Sequence, residues 1–179
     1  MLIQLLVLGG VAVAQESSGS GSVLIGAGAA PGSGDPSTFV IGLRGEVPVA
    51  TGDVLGLGIV FPLERASSGA DAFGFTTTHM ALEFAPSIRG RLLPGSVVRP
   101  YGDIGFGVVH RFSEIDSWFG DVTDNRTTLM ARSALGLEIG GIEPGSVSLI
   151  LEPIGYRHYG LDGSGADRFV ALAGIQFGM

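Results

Sequence analysis

Between Arg99 and Phe112 the chain reads as two interleaved lists. Pro100, Gly102, Ile104, Phe106, Val108, His110 and Phe112 fall on one, and Arg99, Tyr101, Asp103, Gly105, Gly107, Val109 and Arg111 on the other. A β-strand turns successive side chains to opposite faces, so the stretch predicts a strand with one apolar face and one face of glycines and charges. The same alternation recurs at 22–30, 38–49, 54–64, 76–93, 127–140, 147–159 and 168–177. Several of these segments are long for a globular strand. They suit a tilted membrane crossing, which takes about 9–11 residues. The connections between them alternate in length. Those at 31–37, 65–75, 113–126 and 160–167 are long, whereas Ala50–Asp53, Pro94–Ser96 and Pro144–Ser146 are short.

An even number of strands with short and long connections in strict alternation predicts an all-β protein, an eight-stranded antiparallel up-and-down transmembrane β-barrel. Short turns belong at the periplasmic end and longer loops outside, which puts both chain ends on the periplasmic side. A soluble β-sandwich shows alternation too, with the Leu/Ile/Phe face turned inward. Lipid is favoured because the opposite face is mostly Gly and Ala with sparse charges, unlike the Thr/Lys/Ser mixture of a solvated sheet. Its charges nearly balance: Glu46, Glu64, Glu83, Asp103, Glu138 and Glu152 against Arg44, Arg89, Arg91, Arg99, Arg111, Arg132 and Arg168. Small residues let an eight-stranded barrel close, and paired charges fill its narrow interior. We expect Arg44, Glu46, Glu83, Arg89, Arg99, Asp103, Arg132, Glu138 and Glu152 to form a lumenal ion-pair network. Arg157 falls on the lipid-facing list, and Phe39, Phe61, Phe75, Phe112, Tyr159 and Phe169 near the external ends of strands, as an interfacial girdle. Pro86 and Pro153 sit mid-strand, where proline removes a ladder donor and marks an edge or a bulge.

Composition sharpens this picture. Mean hydropathy is high at +0.45, yet no apolar run reaches the roughly 18 residues of a transmembrane helix. Apolar residues distributed in alternation are what a barrel in lipid requires. A net charge of −7, with no lysine among the ten basic residues, argues against a nucleic-acid partner. Without cysteine there is neither a disulfide framework nor a thiol mechanism. Residues 1–14, ending in Ala12-Val13-Ala14, read as a signal peptide. Residues 15–21 read as a flexible tether and 22–179 as the barrel domain.

The chain resembles the small outer-membrane barrels of the OmpA/OmpX kind over about 22–177, through its strand rhythm, Arg99-Pro100-Tyr101 leading into Gly105-Phe106-Gly107, and the terminal strand FVALAGIQF. The resemblance implies residence in the outer-membrane bilayer and recognition of the last strand, ending at Phe177, by the barrel-assembly machinery. A narrower resemblance is to lipid A deacylases, which carry His and, two residues on, Ser near the external end of strand seven. Here His158 is followed by Tyr159 and Gly160, so the nucleophile position is glycine.

Candidate chemistry is otherwise thin. His110 falls on the opposite face list from His79 and His158, which argues against a shared metal, and no cofactor motif is present. Asp162–Asp167 has the texture of a calcium loop without the full ligand spacing. The leading function is a non-enzymatic structural or surface-interaction barrel with a plugged lumen. A narrow pore and a deacylase-like hydrolase are the alternatives. The long connections carry eight acidic residues against Arg65 and Arg126. In the longest, Trp118 and Phe119 with Asp116, Asp121 and Asp124 form a candidate contact site for a surface partner.

Overall fold

The computed structural model describes residues 19–29, 38–72, 75–117, 122–141, 145–160 and 165–178. The predicted signal peptide, Trp118, Phe119, Asp121 and Ser164 lie outside them, as do the side chains of Phe75 and Asp116. Among the described residues nine strands form: β1 (Ser20–Ala29), β2 (Thr38–Thr51), β3 (Leu55–Ala72), β4 (Phe75–Phe84), β5 (Ser87–Leu92), β6 (Val98–Ser117), β7 (Val122–Gly140), β8 (Val147–Tyr159) and β9 (Ala166–Gly178). All pairings are antiparallel, and β1 pairs with both β2 and β9 while β2 pairs with β3, so the sheet closes on itself. Closure removes the unpaired edges that a bilayer cannot solvate. β1 begins at Ser20, which pairs with Glu46 and Gly178, so the end of the predicted tether already belongs to the barrel.

β4 and β5 share one position in the ring, both pairing with β3 and β6. The single strand expected at 76–93 is interrupted at Ala85-Pro86, because proline cannot donate to the ladder. Side-chain alternation survives the gap: Glu83, Ala85, Ser87 and Arg89 all point inward and are buried. Counted around the ring there are eight staves.

The strands also run further than the sequence pattern marks. β3 continues to Ala72 and β6 to Ser117, and β7 starts at Val122. Pairs such as Ile115 with Val122 and Asp71 with Thr76 zip up most of what reads as loop. These ribbons lie beyond the apolar belt, so a water-exposed strand replaces the half-buried alternation on which the sequence reading depends. β-branched residues (Thr76, Thr77, Thr78, Thr123, Thr127) keep them extended.

The outer face is the apolar one. Leu55, Leu57, Ile59, Phe61 and Leu63 on β3, and Val98, Ile104, Phe106 and Val108 on β6, are large side chains left exposed by the fold. Each series spans a length that matches a bilayer crossing. Phe39, Phe169 and Tyr156 stand towards the loop end of this belt, Tyr156 and Phe169 with ring centroids 5.6 Å apart.

Pro153 changes the parity of β8. Glu152 points inward, Pro153 and Ile154 are both exposed, and Gly155 is buried again, with register shifts against β7 and β9 at this point. The extra residue is a β-bulge. Beyond it every side chain is turned to the face opposite the one that strict alternation assigns. Arg157 is therefore inside the barrel, not lipid-facing, and Tyr159 is a lumenal residue, not part of the girdle.

Candidate functional site

The lumen is built from inward positions that alternate small and charged. Gly42, Gly58 and Gly136 leave space for large neighbours: a Cβ at Gly136 would lie 2.4 Å from the Tyr101 ring, and one at Gly58 2.9 Å from a Glu46 carboxylate oxygen. Into that space project carboxylates and guanidinium groups from seven of the eight staves.

Near the turn end, Arg91 bridges Glu46 and Glu138 at 2.8 Å each, and Arg99 reaches Glu138 at 2.8 Å. Arg89 donates in bidentate fashion to Asp103, at 2.7 and 2.8 Å, and reaches Glu46 at 2.9 Å while lying 4.0 Å from the Tyr101 ring centroid. Above this layer Arg44 joins Glu64 (2.8 Å) to Glu152 (2.6 Å). Arg132 and Arg157 also meet Glu64, at 3.1 and 2.9 Å, so one carboxylate is shared by three arginines. Higher still, Glu83 accepts from the Tyr159 hydroxyl at 2.7 Å and faces Arg157 and Arg168 at 3.6 and 3.5 Å. These groups are nearly all sealed from solvent. Bidentate and charge-assisted geometry is what offsets the loss of hydration.

All nine residues predicted for the lumen, Arg44, Glu46, Glu83, Arg89, Arg99, Asp103, Arg132, Glu138 and Glu152, are buried there and ion-paired. The prediction omitted Glu64, Arg91, Arg157 and Arg168. Glu64, Arg91 and Arg168 stood on the correct face list, and their place in the network was legible from that list. Arg157 was hidden by the bulge, whose only trace in the sequence is Pro153.

Above Glu83, at the loop end, a cavity of about 520 Å³ remains. Its floor holds Arg111 and Arg168, 4.7 and 5.2 Å from the Tyr159 ring centroid. Its walls include Ser68, His79 and Ser113.

Each histidine is hydrogen-bonded to the residue directly opposite on the neighbouring strand: His79 to Ser113 (2.9 Å), His110 to Thr127 (2.6 Å) and His158 to Asp167 (2.7 Å). The sequence grouped His79 with His158, but the bulge turns His158 outward, leaving His79 alone on the lumenal side. Among the described residues no group of His, Asp and Glu is arranged to hold a metal. Asp167, at the rim above the belt, also accepts from Tyr156 at 2.7 Å. The His158 and Tyr156 hydrogen bonds hold its carboxyl below the usual carboxylate range. Gly160 adopts φ +79° while its N–H donates to Leu129. Of the predicted contact residues, Asp124 is exposed on β7, and Asp116 lies in the backbone of β6.

No family model and no curated protein matches the chain. Solved structures do. Neisserial surface protein A superposes with a TM-score of 0.56 at 13% identity, covering 90% of this chain and 96% of that one. The outer membrane enzyme PagL gives 0.58 at 15% identity, covering 89% and 99%. A major outer membrane protein from Thermus thermophilus gives 0.58 at 14%, covering 89% and 99%. The chain thus has the fold of the small eight-stranded outer-membrane β-barrels, with an apolar exterior that a bilayer solvates and a charged interior.

Proposed function

We propose that the protein is a non-enzymatic outer-membrane barrel with a structural or surface-interaction role, closed to ions and presenting acidic ribbons outside the cell. The observation that carries this reading is the run of ion pairs from Arg91 to Arg168, which occupies the lumen along most of its length. Eight strands leave an interior only wide enough for side chains. The ribbons of β3/β4 and β6/β7 extend beyond the belt, and the tip between β6 and β7 carries the aromatic pair Trp118-Phe119. That a similar barrel is called a surface protein agrees with a role outside. In this reading residues 1–14 direct export, and the β9 end at Phe177 is the element the assembly machinery engages.

Deleting 115–124 tests the contact role. Folding, read as the heat-dependent gel shift of an outer-membrane barrel, should persist, since external tips tolerate truncation. Binding to cells or matrix should fall, and fall again in Trp118→Ala with the loop intact. Unchanged binding in both variants would remove the contact role. In planar bilayers the protein should give no steady conductance.

The likeness to PagL and the His158–Asp167 pair favour examining a hydrolase as second reading. A serine nucleophile would stand where Gly160 is, and its left-handed backbone strains any other residue. Lipid A from overexpressing cells should therefore keep all its acyl chains by mass spectrometry. A loss abolished by His158→Ala would establish the hydrolase instead.

A further inference from the structure

The cavity above Glu83 has a charge distribution unlike the rest of the lumen. Every fully buried arginine has a carboxylate within ion-pair distance. Arg111, half-buried on the cavity floor, has none among the described residues. Its recorded contact is the face of the Tyr159 ring, which it shares with Arg168. Tyr159 cannot drift, because its hydroxyl is anchored on Glu83. Arg168, in turn, holds Glu83 only at 3.5 Å, and that carboxylate is already engaged by Tyr159 and Arg157. Two guanidinium groups thus stand within about 10 Å of each other on one fixed ring, at the base of a cavity of about 520 Å³ whose walls offer the hydroxyls of Ser68 and Ser113 and the ring of His79.

We propose that this vestibule is a binding site for a small soluble oxyanion, a phosphoryl- or sulfate-bearing polar molecule entering from the loop end, with Arg111 as its anchoring cation. Planar guanidinium groups match such oxyanions in bidentate geometry. Asp167, on the cavity lining, and the exposed Glu114 and Asp124 repel a bare polyanion. The site therefore favours a ligand with one anionic group and a neutral or cationic remainder. Because the site faces the lumen, a lipid headgroup outside the barrel does not reach it.

The test is calorimetric titration of the refolded full chain in a nonionic maltoside detergent, with inorganic phosphate and with phosphoethanolamine as probes. Saturable, salt-sensitive binding is expected for both, tighter for phosphoethanolamine. Arg111→Gln should weaken it by about tenfold or more, and so should Arg168→Gln, a second variant in case the first misfolds. The heat-dependent gel shift reports folding of each. Arg65→Gln, on the outer face, should leave binding unchanged. Absence of saturable binding, or equal binding in a folded Arg111→Gln, would overturn the proposal. Doping the micelles with phosphatidylglycerol should not compete. Competition would assign the site to a headgroup and overturn the soluble ligand.

Discussion

The three arginines around Glu64 set how single residues contribute to this barrel. Replacing Glu64 by glutamine leaves Arg44, Arg132 and Arg157 buried with one carboxylate fewer, and removing a partner from a buried pair costs about 3–5 kcal/mol. We expect a loss of that order in the unfolding free energy from urea titration in detergent or lipid, read as a lowered midpoint. An unchanged midpoint would mean that Glu64 is not a structural hub. The arginines should differ from one another. Arg44 makes four hydrogen bonds to two carboxylates, whereas Arg132 makes one to Glu64, its Nε and Nη2 having no hydrogen-bond partner and Nη2 facing Asp103 and Glu152 only at 3.9 Å. Arg44→Met should therefore destabilise more than Arg132→Met, and the reverse order would show that the geometry is not what matters. At Gly136, alanine would drive a methyl into the Tyr101 ring and loosen the Arg89 contact on its other neighbour. Gly136→Ala should lower the unfolding midpoint, and Gly90→Ala, where a Cβ meets nothing within 4 Å, should not.

At the scale of elements, the decisive feature is the proline-induced change of parity. Alternation by itself placed the inward charges of β2, β3, β5, β6 and β7 correctly, because one face had to meet lipid and a slip of one residue exchanges the faces. It failed on β8, where Arg157 and Tyr159 were assigned by counting through Pro153. The information was present, since a mid-strand proline signals a bulge, but its position relative to the partner strands is a property of register and not of the segment. The external ribbons were missed for a related reason: outside the bilayer neither face is apolar, so the periodic signal ends before the strand does. Deleting Pro153 and Ile154 together removes the extra residue and one position more, so plain alternation from Glu152 directs Arg157 into lipid and Tyr156 into the lumen. That variant should fail to show the folded, fast-migrating gel band, whereas Pro153→Ala, which keeps the extra residue, should retain it. Folding of the deletion variant would mean that the bulge does not set the faces.

For the whole molecule, the distribution of partners around the ring has a consequence for how the barrel enters its membrane. Arg44 on β2 is neutralised by Glu152 on β8, Arg89 on β5 by Glu46 on β2, and Arg157 on β8 by Glu64 on β3. Adjacent strands supply part of the neutralisation, as in Arg44–Glu64 on β2/β3 and Arg89–Asp103 on β5/β6, but these pairs across the ring supply the rest. A hairpin inserted alone would carry bare charge into hydrocarbon, which is costly at any depth. Intermediates with part of the ring in place are therefore penalised until the last seam, β1 against β9, brings the opposing walls together. Insertion and closure should be one concerted event, with a rate that falls steeply when a cross-ring partner is removed and hardly at all when an outer-face residue such as Ile104 is changed to another aliphatic. By the same wiring, the barrel should enter the bilayer whole or not at all.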